Sequence, residues 1–142
     1  MKQRGFTVIE ILVVISFLVF AGGLFFVQKN NLQIAHRDSQ RKTAINAMYY
    51  GLEESFFKQN NYYPETIDEK NLTTVEKSLF TDPRGVKLGQ TTMENSGEKV
   101  SVQSDYRYEP TSCKDGKCQS YKLRGQLEGE AEYIKENRQK ND

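Results

Sequence analysis

The chain has 142 residues, in which 20 lysines and arginines are matched by 19 aspartates and glutamates, and the formal net charge is +1. This length suits one domain with a modest core. A balance so close to neutral excludes a strong overall field of the kind that draws proteins to nucleic acid or to anionic lipid.

A long apolar segment begins close to the start of the chain. From Phe6 to Val27 the only charged residue is Glu10. A helix of that length reaches about 33 Å, enough to cross a hydrocarbon core of about 30 Å. Three interpretations fit such a segment: a plain single-pass membrane anchor, a secretory signal peptide cleaved at Val19-Phe20-Ala21, or a prepilin leader cleaved between Gly5 and Phe6.

Glu10 decides among these interpretations. A carboxylate within hydrocarbon costs at least a few kcal/mol and is rarely kept there without a partner. A plain anchor or a signal peptide gains nothing from it, and the apolar sequence continues past Ala21 as far as Val27. The sequence therefore favours the prepilin interpretation.

The residues Gly5-Phe6-Thr7-Val8-Ile9-Glu10, followed by about 17 mostly apolar residues, resemble the amino-terminal motif of type IV pilins and type II secretion pseudopilins. The resemblance is strong over residues 1–58 and looser beyond them. It implies that a membrane aspartyl peptidase cuts after Gly5 and that Phe6 becomes the N-methylated first residue. It also implies that Glu10 pairs with the amino group of a neighbouring subunit and sets the register of assembly, because an unpaired buried charge is heavily penalised.

The pattern changes after the apolar segment to an amphipathic helix and then to strands, which predicts an α+β fold. Apolar residues recur at three- and four-residue steps and form one stripe: Ile45, Met48, Leu52 and Phe56. We expect a long amino-terminal helix packed on a small antiparallel sheet, as in pilins. The predicted parts are a leader (1–5), a hydrophobic transmembrane or filament-core helix (6–30) and a head (31–142), the head comprising an amphipathic helix (31–58), a loop (59–102), a β-sheet region (103–135) and a polar tail.

Gly22 and Gly23 interrupt the apolar helix, and each lowers helix propensity by about 1 kcal/mol relative to alanine. The resembled family usually has a proline or glycine near this position, in a stretch that unwinds inside the assembled filament. This chain lacks the proline, so the resemblance assigns helix melting to the two glycines. The alternative is close packing of small residues between helices.

Asn60-Asn61 marks the end of the long helix, because asparagine tolerates the left-handed conformation that a helix stop needs. The stretch FKQNNYYPET resembles the segment that closes the long helix in many pilins and pseudopilins, with Asn61 in place of the usual glycine. Beyond it, residues 73–79 suggest a short helix capped by Thr73 or Thr74. Asp82-Pro83-Arg84-Gly85 resembles a turn of the major pseudopilin.

Two strands with alternating aromatic and charged residues flank Asp115-Gly116, which is a strong hairpin signal. Counting outward from this turn, Cys113 faces Cys118 at a non-hydrogen-bonded pair, where side chains are closest and a disulfide is reachable. The alternatives are two free thiols or half of a metal site, although zinc lacks ligands because the single histidine is distant. The basic residues of the hairpin are typical of a solvated edge that discourages strand pairing: Lys114, Lys117, Lys122 and Arg124.

No catalytic constellation is visible in the sequence, so we do not expect an enzyme. The charged residues from His36 to Lys42 are expected to be solvated or to face another subunit. The pairs Glu53-Glu54 and Asp68-Glu69 are expected on solvated faces. No cofactor is predicted. The resemblance raises the question of a calcium site, since major pseudopilins can hold calcium in a loop near the strands. The spacing of the candidate ligands fits no defined loop: Asp82, Glu94, Glu98 and Asp105.

The predicted function is that of a structural subunit of a type IV pilus, which polymerises through its apolar helix and serves twitching motility, adhesion or DNA uptake. The resemblance implies the following partners: other copies of the chain, prepilin peptidase, an inner-membrane platform protein, assembly ATPases and minor pilins. The subunit is expected in the inner membrane before assembly and in an extracellular pilus afterwards. Two alternatives stay open: the major pseudopilin of a type II secretion system, and a membrane-anchored binding module in which Gly5 is not a cleavage site.

Overall fold

The structure is a computed structural model that describes residues 7–95 and 98–138, with the backbone alone for residues 92–100. One long amino-terminal helix packs against a small antiparallel sheet. The α+β prediction is confirmed.

The long helix runs without a break through three segments. Helix α1 (Val8–Tyr50) continues into π-helical turns (Gly51–Phe57) and then into α2 (Lys58–Asn60), a length of about 80 Å at 1.5 Å per residue. Asn61 ends it in the left-handed conformation, with φ 60° and ψ 26°, as the sequence predicts. A Cβ atom at Gly51 would lie 2.6 Å from Val75 Cγ2, so the missing side chain is what lets the following loop approach the helix.

The predicted apolar stripe forms the helix side of the core. Ile45, Met48 and Leu52 are fully buried, and Phe56 packs against them half-buried. They face the sheet closely, because a Cβ atom at Gly125 would lie only 2.9 Å from Ile45 Cγ1. The stripe prediction is confirmed, and it explains why only the second half of the helix is covered by the head.

The main sheet is built around one central strand. The helix-facing sheet contains β1 (Tyr63–Pro64), β4 (Tyr106–Lys114), β5 (Lys117–Gly125) and β6 (Tyr133–Glu136), all antiparallel. Strand β5 pairs with β4 along one edge and with β1 and β6 along the other. Strands β2 (Thr92–Asn95) and β3 (Glu98–Ser101) form a separate two-stranded sheet.

The segment predicted as a loop over residues 59–102 has more order than expected, since it contains β1, the β2–β3 hairpin and a 3₁₀ turn at Lys77–Phe80. Of the short helix predicted over residues 73–79, only a 3₁₀ turn at Lys77–Phe80 forms, and neither Thr73 nor Thr74 caps it. Glu76 precedes the 3₁₀ turn and makes no side-chain cap. The reason is tertiary: Leu72 and Val75 are buried in the core, and their packing decides the backbone path.

The β4–β5 hairpin has the predicted register. Cys113 lies opposite Cys118 and Lys114 lies opposite Lys117. Asp115 and Gly116 have φ values of 52° and 75°, as a type I′ turn requires at both central positions. Cys113 and Cys118 form a disulfide with their Cα atoms 3.9 Å apart, so the disulfide prediction is confirmed and the free-thiol alternative is wrong.

Candidate functional site

The first half of the helix stands clear of the head and exposes its apolar side chains. The large apolar residues from Val8 to Val27 are between 49% and 77% exposed. Among the described residues this is the one helix long and apolar enough to cross a membrane, with a most apolar window of mean hydropathy 2.6 and none of it buried. By length and composition it qualifies as a membrane anchor.

The lone carboxylate of this segment belongs to the helix cap. Thr7 precedes the first turn, and its backbone N–H and its hydroxyl both donate to Glu10 Oε2, at 2.8 and 2.9 Å. The Glu10 N–H donates back to Thr7 Oγ1 at 3.4 Å, which completes a capping box. Glu10 has no cationic partner among the described residues. Gly5 and Phe6 lie outside them, so the predicted cleavage and methylation sites stay predictions.

Gly22 and Gly23 lie within the continuous helix α1. A Cβ atom added at either residue would meet no atom within 4 Å. Their backbone is therefore helical in the single subunit, and no neighbouring element requires them to be glycine there. Helix melting concerns the assembled filament and stays a prediction.

A buried ion cluster lies where the helix enters the head. Arg41 is 1% exposed. Its guanidinium donates to Asp38 Oδ1 at 2.8 Å, to Asp105 Oδ2 at 2.8 Å and to Glu128 Oε1 at 2.7 Å. We call Arg41 with these three carboxylates the Arg41 cluster. The expectation that Asp38 and Arg41 are solvated is wrong, because the chain brings carboxylates from 64 and 87 residues further on to meet the guanidinium.

Further donors complete the Arg41 cluster. Asp38 accepts the backbone N–H groups of Glu128 and Gly129, at 2.9 and 2.8 Å. The Arg37 guanidinium donates two hydrogen bonds to the Glu128 carboxylate, and Arg84 forms an ion pair with Asp105. The helix is thus tied both to the start of β4 and to the loop before β6. A pair of buried opposite charges adds little net stability, but separating its partners is strongly destabilising. Arrangements of helix and sheet that would separate these groups are therefore disfavoured.

Two of the calcium candidates lie close together in the structure. Asp82 accepts the backbone N–H groups of Arg84, Val86 and Asp105 at 2.9 to 3.0 Å. The Asp105 carboxylate accepts from Arg41 and Arg84, so protein donors already occupy both groups. Side chains of Glu94 and Glu98 lie outside the described part. Within the part of the chain that is described, no set of three His, Cys, Asp or Glu residues is arranged to hold a metal ion.

A second buried carboxylate lies further along the helix. Glu53, on the π-helical turns, is 5% exposed and accepts the hydroxyl groups of Tyr121 at 2.9 Å and Tyr63 at 3.1 Å. Burial and the Glu53 charge raise the pKa of both phenols, which therefore stay protonated donors. The Arg138 N–H also donates to Glu53, at 3.3 Å. The expectation of a solvated Glu53 is wrong; the residue joins the helix to the sheet and to the chain after β6.

Stability of the head is expected to fall in acid. The guanidinium groups of Arg37 and Arg41 hold the pKa of Glu128 at about 2, below its ordinary value of 4.5. Because the pKa of Glu128 is lower in the folded state than in the unfolded state, its ionised carboxylate stabilises the fold fully above about pH 4.5. This stabilisation is lost as the pH falls from about 4.5 towards 2. Urea unfolding followed at pH 6 and pH 3 measures this loss. The Glu128→Gln variant is expected to show a smaller pH dependence; an identical one would contradict this role for Glu128.

The first half of the long helix is thus apolar and exposed, with Glu10 in its capping box. The head packs on the second half of the same helix. We compared the chain with known proteins. No family model, no curated protein and no solved structure matches it.

Proposed function

We propose that this chain is a structural subunit of a filament of the type IV pilus kind. The observation that carries the proposal is the continuous helix, whose exposed apolar half bears a single charge, Glu10, in its first turn. Full burial of a large apolar side chain contributes about 1.5–3 kcal/mol. A surface made of so many of these side chains requires lipid around it before assembly and other copies of the helix after it.

Glu10 supplies the specificity that an apolar surface lacks. Apolar helices slide past one another at little cost, because the hydrophobic effect is not directional. A carboxylate in such an interface needs a cation, and cleavage after Gly5 would create one on Phe6 of a neighbouring copy. The subunit stagger that joins these two groups is favoured over every other stagger, since each alternative leaves a charge unpaired.

The attachment of the head to the helix suits the outside of such a filament. The Arg41 cluster and the Glu53 hydrogen bonds fix the head to the helix at two levels. Pulling on the helix therefore moves the head with it. The proposal implies a prepilin peptidase, an inner-membrane platform protein, an assembly ATPase and minor pilins as partners, and passage from the inner membrane to an extracellular pilus.

Mass spectrometry of the protein from a cell with the processing enzyme tests the proposal. We expect the mature chain to begin at Phe6 with one added methyl group, and a Gly5→Leu variant to keep residues 1–5. An intact Met1 would contradict the filament proposal and favour a membrane-anchored binding module. A chain that begins after Ala21 would favour a secretory signal peptide.

A second candidate is the major pseudopilin of a type II secretion system. The turn at Asp82-Pro83-Arg84-Gly85 favours it, since the Asp82 carboxylate binds the N–H groups of Arg84 and Val86 and Gly85 has φ 86°. Deletion of the gene separates the candidates. Loss of surface filaments with normal protein secretion favours the pilus, and the reverse favours the pseudopilus.

A further inference from the structure

A polar cleft lies beside the carboxyl-terminal end of the long helix. Strand β1 follows the end of the long helix and pairs with the start of β5, which places the tip of the β4–β5 hairpin beside that helix end. The cleft between them has a volume of about 310 Å³. Its polar side chains come from both elements: Asn61, Tyr62, Ser112, Lys114, Lys117 and Gln119.

Two lysines of this cleft lack the carboxylate partners that Lys122 and Arg124 of the same hairpin have. Lys122 pairs with Glu136, and Arg124 pairs with Glu109 and Glu132. Lys114 and Lys117 lie directly opposite each other, and among the described residues neither contacts a carboxylate. Like charges at such a position are destabilising. Of the four basic residues predicted on this edge, Lys122 and Arg124 are therefore neutralised by carboxylates. The other two, at the cleft, keep their positive charge.

The Lys117 ammonium group is held in place at the cleft. Its nitrogen lies 5.2 Å from the centre of the Tyr62 ring, a cation–π contact that orients the charge without neutralising it. The adjacent disulfide holds the two strands together just before the lysine pair. The like charges are thus kept side by side by the fold.

The backbone at Ser112 is strained, with φ 54°. In the described part of the chain, two other non-glycine residues have positive φ, Asn61 and Asp115. Each has a local reason, because Asn61 ends a helix and Asp115 lies in the hairpin turn. Ser112 lies inside strand β4, between the regular pairs Thr111–Ser120 and Cys113–Cys118. Strain of this kind costs about 1–3 kcal/mol and is concentrated at functional positions. Ser112 lines the cleft.

We propose that this cleft binds a phosphate group. Two ammonium groups, a hydroxyl and two side-chain amides are the donors that proteins use for phosphate oxygens. Two features oppose a bound anion, the Asp115 carboxylate in the turn and the partial negative charge at the end of the helix, so the affinity is expected to be weaker than the donors alone would give. Free inorganic phosphate and the phosphate of a lipid headgroup share this chemistry. The site does not depend on the filament proposal.

Amide chemical shifts of the full chain in maltoside micelles, titrated with inorganic phosphate or with glycerol 3-phosphate, test the site. We expect saturable shifts at Ser112, Lys117 and Gln119. Equal affinity for the two probes identifies the phosphate group alone as the ligand, and tighter binding of glycerol 3-phosphate identifies a headgroup. Absence of a saturable shift with both probes would overturn the proposal.

Three variants make the test specific. Lys114→Gln with Lys117→Gln is expected to weaken binding at least about tenfold, the equivalent of one lost charge-assisted hydrogen bond. Lys70→Gln with Lys77→Gln removes two exposed lysines of the 65–80 region and is expected to change nothing. Asp115→Asn is expected to tighten binding. Equal affinities for the first variant and the unmodified chain, with the disulfide intact in both, would overturn the proposal.

Discussion

Replacing Arg41 with alanine is expected to lower the free energy of unfolding of the head by about 3–5 kcal/mol. The side chain is buried between Asp38, Asp105 and Glu128. Its removal leaves the buried Asp38 carboxylate without a cation, while Asp105 and Glu128 each keep one arginine. Single domains have total stabilities of about 5–15 kcal/mol, so this loss takes a large share. Urea denaturation of the full chain in detergent micelles, followed by circular dichroism, measures it.

Arg37 provides the matched control for Arg41. It lies one turn earlier on the same helix and contacts the same carboxylate, Glu128, but its side chain is 34% exposed. Exposed ion pairs contribute about 0–1 kcal/mol, so Arg37→Ala is expected to cost about 1 kcal/mol or less. If both variants lowered the free energy of unfolding equally, the ion pair with Glu128 would explain the effect and the burial of Arg41 would not. That result would contradict our interpretation of the cluster.

Replacing Glu10 with alanine is expected to lower the yield of filaments at least about tenfold while the subunit still inserts and loses its leader. In the proposed filament the change leaves the amino group of a neighbouring copy unpaired, which costs about 3–5 kcal/mol at each contact. In the single subunit it removes only the bond to Thr7, and a helix cap is worth about 0.5–2 kcal/mol. The loss is therefore expected in assembly and not in folding.

Filaments sheared from cells that carry the assembly machinery, and quantified against total subunit, measure the effect of Glu10→Ala. Ser16→Ala is the control, since it removes another polar group from the same apolar segment. A normal filament yield from Glu10→Ala would contradict the role of Glu10 in register. Loss of the subunit from the membrane would show instead that Glu10 acts before assembly.

Features encoded by neighbouring residues were predictable from the sequence. Asn61 stops the helix because asparagine accepts a left-handed backbone, and Asp115-Gly116 forces a two-residue turn that places Cys113 opposite Cys118. The apolar stripe of Ile45, Met48 and Leu52 follows from helical periodicity alone. In each case the interacting atoms lie within a few residues of one another, so local chemistry suffices.

Features that depend on distant residues were not predictable. Asp38 and Arg41 have the pattern of a solvated helix face, and Glu53 has the pattern of an exposed carboxylate. The fold buries all three, because Asp105, Glu128, Tyr121 and the backbone of Arg138 arrive from the other end of the chain to bind them. The short helix predicted at residues 73–79 is reduced to a 3₁₀ turn at Lys77–Phe80 for the same reason, since Leu72 and Val75 before it are buried in the core.

The sequence by itself determined the long helix and its end, the apolar segment with its lone Glu10, the hairpin register and the disulfide. Periodicity, turn preferences and the cost of a charge in hydrocarbon are properties of short stretches, and no distant residue changes them. The tertiary structure alone decided which charges are buried, how the helix is fixed to the sheet, and which basic residues of the hairpin are left without a carboxylate. Those outcomes depend on contacts between residues that are not neighbours along the chain, from Arg124 and Glu132, 8 positions apart, to Arg41 and Glu128, 87 positions apart. Only the folded chain brings such residues together.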